Sequence, residues 1–328
     1  MKARLFEQLH KEGLISAFSL EKVRTAAGSR LFSINWELKT ILYLGILLIT
    51  SGLGILVYKN IDTIGHQAVL TAIGLLCTGC FFYCGRKKLP FSISKVPPPN
   101  AFFDYILLLG CLTFITFITY LQVEYNAFGN AFGLAVFFPM IVLFFSAYYF
   151  DHAGILCMAI TNLAAWMGIA VTPLTILKTN HFADTQIIFA AVALGILLII
   201  VALVSERKNI KAHFVFIYTN FGMNIIYIAC LAGMFHFDKV YLLWLIPLAV
   251  ASFYFYKEAL AQSSFYFILM ISVYVYIAAT YVIMRLLMNN AIDEYISGLL
   301  YFIGSGIFMI IFLINMNKKI KYGIRLQQ

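Results

Sequence analysis

AFGLAVFFPMIVLFFSAYYF (131–150), then Asp151-His152, then AGILCMAITNLAAWMGIAVTPL (153–174) is the stretch on which the fold turns. Two apolar runs meet at a charged residue and a histidine, with Gly154 just beyond them. One membrane span needs about 20 residues, so Phe128–Leu174 is too long for one. The stretch predicts a tight hairpin of two helices turning at Asp151-His152.

Outward from this hairpin the same pattern recurs. Apolar runs of span length predict helices over Thr40–Val57, Gln67–Cys84, Phe102–Leu121, Ala131–Phe150, Ala153–Leu174, Thr185–Val204, Ala212–Met234, Val240–Tyr256, Ser264–Leu287 and Tyr295–Ile314, each satisfying its backbone internally. Hydrophobic residues fill 62% of the 328 positions and charged residues 11%, against roughly a quarter charged in an ordinary soluble domain. The fold class is therefore all-α, a polytopic transmembrane helix bundle of about ten spans embedded in a lipid bilayer.

Charge supplies the direction. Short cytoplasmic loops are enriched in Lys and Arg, and with the N-terminus inside, ten spans divide the basic residues 19 to 4 in favour of the inner side. Removing one span would reverse the later loops and spoil that division. The expected location is a plasma (inner) membrane with both termini cytoplasmic. The net charge of +9 is accounted for by this topology, and no nucleic-acid partner is expected.

Residues 1–39 carry seven Lys or Arg and lack an apolar core followed by a cleavage site, so Thr40–Val57 is expected to be a retained first span. Within this leader Arg4–His10 and Leu20–Ala27 predict two short helices, the first broken by Gly13 and the second capped by Ser19. They form either a small helical hairpin or an amphipathic segment on anionic lipid. The leader is thus a candidate contact for a cytoplasmic protein or the inner leaflet. Pro97, Pro98 and Pro99 make a stiff connection over Ser92–Asn100. The expected organisation is a leader (1–39), two spans (40–95) and an eight-span bundle with a short basic tail (96–328).

The leader and the first span together carry a recognisable pattern: Leu5-x-x-x-Leu9-x-x-x-Gly13-Leu14-Ile15-Ser16, then Leu42-Tyr43-Leu44-Gly45-Ile46-Leu47-Leu48, then Gly52-x-Gly54, ending Tyr58-Lys59-Asn60-Ile61-Asp62. Over the first quarter of the chain this resembles the bacterial predicted membrane proteins of domain of unknown function 2157. Ile61 stands where that family usually has Trp. The resemblance implies a cytoplasmic leader before a Leu- and Gly-rich helix, and implies no activity.

Polar residues inside the spans mark the candidate sites. His213, Asn220, Asn224 and Tyr227 recur at intervals of seven, four and three, near one helix face. Asn162 and Trp166, one turn apart on the fifth span with Thr172 and Pro173 beyond, offer a facing surface. These six residues either line a polar cavity or bond helix to helix. Cys77, Cys80 and Cys84 extend with Gly74 along one stripe of the second span. Zinc and iron–sulfur sites need a fourth ligand that the neighbouring sequence lacks, so the stripe is read as a packing surface. Gly45, Gly52, Gly54, Gly298, Gly304 and Gly306 are read the same way. All six cysteines, Cys111, Cys157 and Cys230 included, lie in apolar segments and predict no disulfides. Pro139, Pro173 and Pro247 fall within spans and predict kinks.

No carboxylate is expected at mid-depth, which argues against a proton pump or a carrier of charged solutes. The sequence holds no Walker loop, GxSxG elbow, HExxH or paired-Asp protease motif. The expectation is a non-enzymatic membrane protein with no cofactor, metal or catalytic residue. The alternatives are a transporter or flippase for a neutral or lipophilic molecule and, next, a membrane enzyme acting on lipid or quinone.

Overall fold

The computed structural model describes residues 16, 18–19, 40–49, 51–52, 54–55, 65–100, 102–171, 185–262, 264–288 and 294–326. The chain divides into two compact units, Met1–Lys59 and Asn60–Gln328.

In the first unit, Phe18 and Ser19 are helical and the Ser19 amide donates to Ser16 Oγ at 3.2 Å. The expected helices Arg4–His10 and Leu20–Ala27 lie outside the described residues. Helix α1 is Thr40–Ile49, short and apolar.

The second unit consists of α2 (His66–Lys87), α3 (Phe103–Tyr125), α4 (Phe132–Phe150), α5 (Ala153–Val171), α6 (Thr185–Arg207), α7 (Val215–His236), α8 (Leu245–Ala261), α9 (Phe265–Met288) and α10 (Glu294–Leu326). Every regular element among the described residues is helical. Eight of their helices are long and apolar enough to cross a membrane, and Thr40–Ile49 and Ala153–Gly168 are shorter apolar helices. This is the polytopic bundle that hydropathy predicts.

The α4–α5 hairpin turns where expected. Asp151 ends α4 in the left-handed conformation (φ 60°), with the His152 amide donating back to the Ala147 carbonyl at 3.0 Å. His152 starts α5, its Nδ1 accepting from the Ile155 amide at 3.1 Å. Elsewhere the bounds shift for local reasons. A 3-10 turn, Tyr241–Trp244, precedes α8, so Pro247 sits in the first helical turn, where a missing amide breaks no helical bond. α10 runs well past Ile314, because Met316 and Ile320 are buried against the α8–α9 core.

Lipid offers little drive to press apolar helices together, so close approach through small residues decides the pairing. α6 and α7 meet at Gly195 and Gly222. A Cβ at Gly195 would lie 2.5 Å from Ile226 Cγ1 and 3.1 Å from the Gly222 carbonyl oxygen. On α2, Gly74 faces Phe117, and the buried Cys77, Cys80 and Cys84 pack on α3. Gly304 and Gly306 differ: among the described residues, nothing lies within contact of a Cβ there. α10 exposes Leu299, Ile303, Phe308 and Ile311, a surface suited to lipid chains.

α7 joins two cores. Phe214, just before it, and Tyr218 in its first turn enter a core with Leu107, Leu143 and Leu198. Its later turns put Met223, Tyr227 and Cys230 into a second core with Phe255 and Phe267. One end of this unit collects the connections after α2, α4, α6 and α8 and bears Arg86, Lys87, Lys88, Lys95, Lys208, Lys211 and Lys257. It is called the basic end below.

Candidate functional site

The basic end holds a buried charge cluster. The Asp151 side chain is 2% exposed and Lys211 1%, and Lys211 Nζ lies 3.0 Å from Asp151 Oδ2. Both backbones are left-handed, at φ 60° and 49°, a conformation that costs a non-glycine residue roughly 1 kcal/mol or more. Two such residues meeting in one ion pair mark a place where tertiary contact overrides local preference. His213 adds Nε2 at 2.6 Å from Asp151 Oδ1. These two atoms lie off the line of a hydrogen bond, and neither has an aligned partner among the described residues.

The cluster fastens the Pro-rich segment 88–100 across this end. The Val96 amide donates to Asp151 Oδ2. The Lys211 amide donates to the Ile93 carbonyl at 2.9 Å and its Nζ to the Ser94 carbonyl at 3.4 Å. Lys211 Nζ also stands 5.0 Å from the Phe91 ring centre, and Lys88 Nζ 3.6 Å from that of Tyr149. Three separate connections are thereby tied into one closure, beneath which a cavity of about 10 Å³ remains, room for about one water. Beside it, burial pushes the His152 imidazole below its ordinary range, against the opposing Asp104 carboxylate 4.0 Å away.

Deeper, Tyr148 and Tyr218 join α4 to α7 through their hydroxyls at 2.9 Å. The other side of α7 carries a second network. Asn224 Nδ2 donates to the Asn220 carbonyl (2.8 Å) and to Asn220 Oδ1 (2.9 Å), Tyr266 donates to Asn220 Oδ1 (2.9 Å), and Tyr274 to Asn224 Oδ1 (2.7 Å). Tyr227 stacks on Tyr274 with ring centres 4.9 Å apart and donates to Ser252 Oγ at 3.0 Å.

Of the six residues singled out from sequence, Asn220, Asn224 and Tyr227 thus share one network, with α8 and α9. His213 belongs to the charge cluster instead. It lies in the 3-10 turn Ala212–Phe214 before α7, so the α-helical register does not extend back to it. Asn162 is half-buried on α5, and Trp166 packs on Phe137 of α4, ring centres 5.4 Å apart. Thr172 and Pro173 lie outside the described residues. From sequence Asp151 marks only the turn, and Lys211, Tyr148, Ser252, Tyr266 and Tyr274 carry no site reading. The one hint for the cluster is an acidic residue in a two-residue turn at an otherwise basic end.

The α2 cysteine stripe meets Cys111 of α3, which shares its seam: Gly110, beside it, would place a Cβ 2.9 Å from Cys80 Cβ. Among the described residues no group of three or more His, Cys, Asp or Glu is placed to hold a metal.

A second feature lies toward the opposite end. α5, α6 and α7 enclose a cavity of about 190 Å³ lined by apolar residues, among them Ala164, Ala190, Ala191, Leu194 and Ile225.

Residues 7–156 match the model of a family described as predicted membrane protein (DUF2157). The match reaches past the first quarter of the chain and includes Asp151 and His152, but ends before Lys211 and His213. No curated protein and no solved structure matches the chain.

Proposed function

We propose that the chain is a non-catalytic integral protein of the plasma (inner) membrane, its basic end and termini cytoplasmic, that handles a neutral or lipophilic compound rather than an ion. The observation that carries this is the contrast between its polar and apolar interior. The Asn220–Asn224 network spends its hydrogen bonds on neighbouring helices, whereas the 190 Å³ cavity is lined by apolar groups. The basic residues gathered at one end support this orientation. Purified protein in liposomes should pass no ion current and should co-purify with, or move, a lipophilic probe. A selective ion current would overturn the proposal.

A carrier or flippase is the second reading, supported by the Tyr266 and Tyr274 hydroxyls on Asn220 and Asn224. Breaking these bonds between α7 and α9 frees the amides, with Tyr227 beside them, for a passing substrate. The leader, residues 1–39, is assigned a contact with a cytoplasmic protein or the anionic leaflet. Deleting Met1–Arg30 should abolish that contact, and an unchanged set of interactions would remove the assignment.

A further inference from the structure

We propose that the α5–α6–α7 cavity is a binding site for one alkyl chain of a bilayer phospholipid, entering sideways from the membrane. This rests on the reading of the chain as handling lipophilic compounds, and it names the ligand and the place. Small residues make the hollow: Ala164 and Gly168 on α5 face Ala190 and Ala191 on α6. On the α7 side Ile228 lines the cavity while remaining 57% exposed, so the mouth opens on the surface that lipid covers.

The cavity has a floor. One turn nearer the basic end, Gly195 and Gly222 bring α6 and α7 into backbone contact, a Cβ at Gly222 lying 3.0 Å from the Gly195 carbonyl oxygen. Access is therefore lateral and the pocket ends blindly. Its 190 Å³ exceeds the roughly 150 Å³ of a dry protein cavity that takes up benzene. That suffices for the end of one chain and is too little for a whole lipid. Among the described residues, no side chain lining it offers a hydrogen bond to a headgroup. A polar pair sits farther out on the same two helices, Thr185 Oγ1 and His236 Nε2 at 3.1 Å. A chain lying between α6 and α7 would bring its polar end to that level. Dispersion contacts with the walls distinguish a seated chain from one that merely slides over the outside.

The test uses full-length protein in nanodiscs of palmitoyl-oleoyl phosphatidylethanolamine and phosphatidylglycerol, doped with a phospholipid bearing a photoactivatable diazirine near its chain terminus. After irradiation, peptides containing residues 164–168 and 187–194 should carry label well above the exposed face of α10. Ala191→Phe, which fills the cavity, should lower that label about tenfold. Ile246→Phe, on an exposed face of α8, should leave it unchanged. Ala191→Leu is the milder filling if the Phe variant does not fold. Even labelling of all lipid-facing helices, or enrichment that survives both fillings, overturns the site. Enrichment lost on filling, in a protein that also conducts ions, upholds the site and rejects the broader function. A lipophilic probe retained without enrichment rejects only the site.

Discussion

Replacing Asp151 by Asn isolates the charge at the centre of the cluster, because Asn tolerates the left-handed backbone as Asp does. The substitution leaves the Lys211 ammonium, 1% exposed, with the Ser94 carbonyl at 3.4 Å and the Phe91 ring at 5.0 Å. Breaking a buried pair by removing one partner costs about 3–5 kcal/mol. Lys211→Met should cost less, because Asp151 keeps the Val96 amide and His213 at 2.6 Å. With both replaced no charge is stranded, so the double variant should be more stable than the two losses added together predict, by about 1–3 kcal/mol. The assay is a double-mutant cycle of thermal unfolding in one detergent, paired with limited trypsin digestion. Cleavage after Lys95 should accelerate in Asp151→Asn, since the Val96 amide loses the carboxylate that pins segment 88–100. Additive losses, or unchanged cleavage at Lys95, would refute the idea that the pair fastens the segment.

Gly195→Ala should destabilise by about 1–3 kcal/mol, because its Cβ meets Ile226 and the Gly222 backbone, whereas Gly304→Ala should be close to neutral. Unfolding midpoints of the two variants check this. His152 has a folded pKa below the ordinary 6.5, so the unfolded chain binds the extra proton. Its contribution is intact above pH 6.5 and declines as pH falls toward the folded value. His152→Asn, which retains a helix cap, should flatten that part of a stability-versus-pH curve. Asn224→Leu removes the bond from Tyr274 and should cost about 0.6 kcal/mol, at most about 1.7. If the carrier reading holds, this variant should lose transport in liposomes while keeping its unfolding midpoint within that margin.

Helices were legible because length and hydropathy are local properties and the bilayer fixes the length required. The two-residue turn at Asp151-His152 was legible for the same reason: no single helix accommodates both runs. The extension of α10 was not, since Asn317, Lys318 and Lys319 look like a tail until Met316 and Ile320 are seen buried beside them. Asn220, Asn224 and Tyr227 were found by their helical spacing, which a 3-10 turn does not preserve for His213. The pairing of Asp151 with Lys211 escaped because sixty residues separate them and each, taken alone, is an ordinary loop charge. Only the packing of the α4–α5 and α6–α7 turns turns two loop charges into one buried pair.

That pairing bears on what the family match delimits. Residues 7–156 contain the carboxylate, and both side chains within 3.0 Å of it, those of Lys211 and His213, come from the connection before α7. Leu194, Leu198, Phe214 and Tyr218 complete the core around Leu107, Leu143 and Ile155. A fragment ending at residue 156 would therefore expose one side of its core and lose both side chains that meet Asp151. The family-like segment is physically completed by α6 and α7, in keeping with the single compact unit that runs from Asn60 to Gln328.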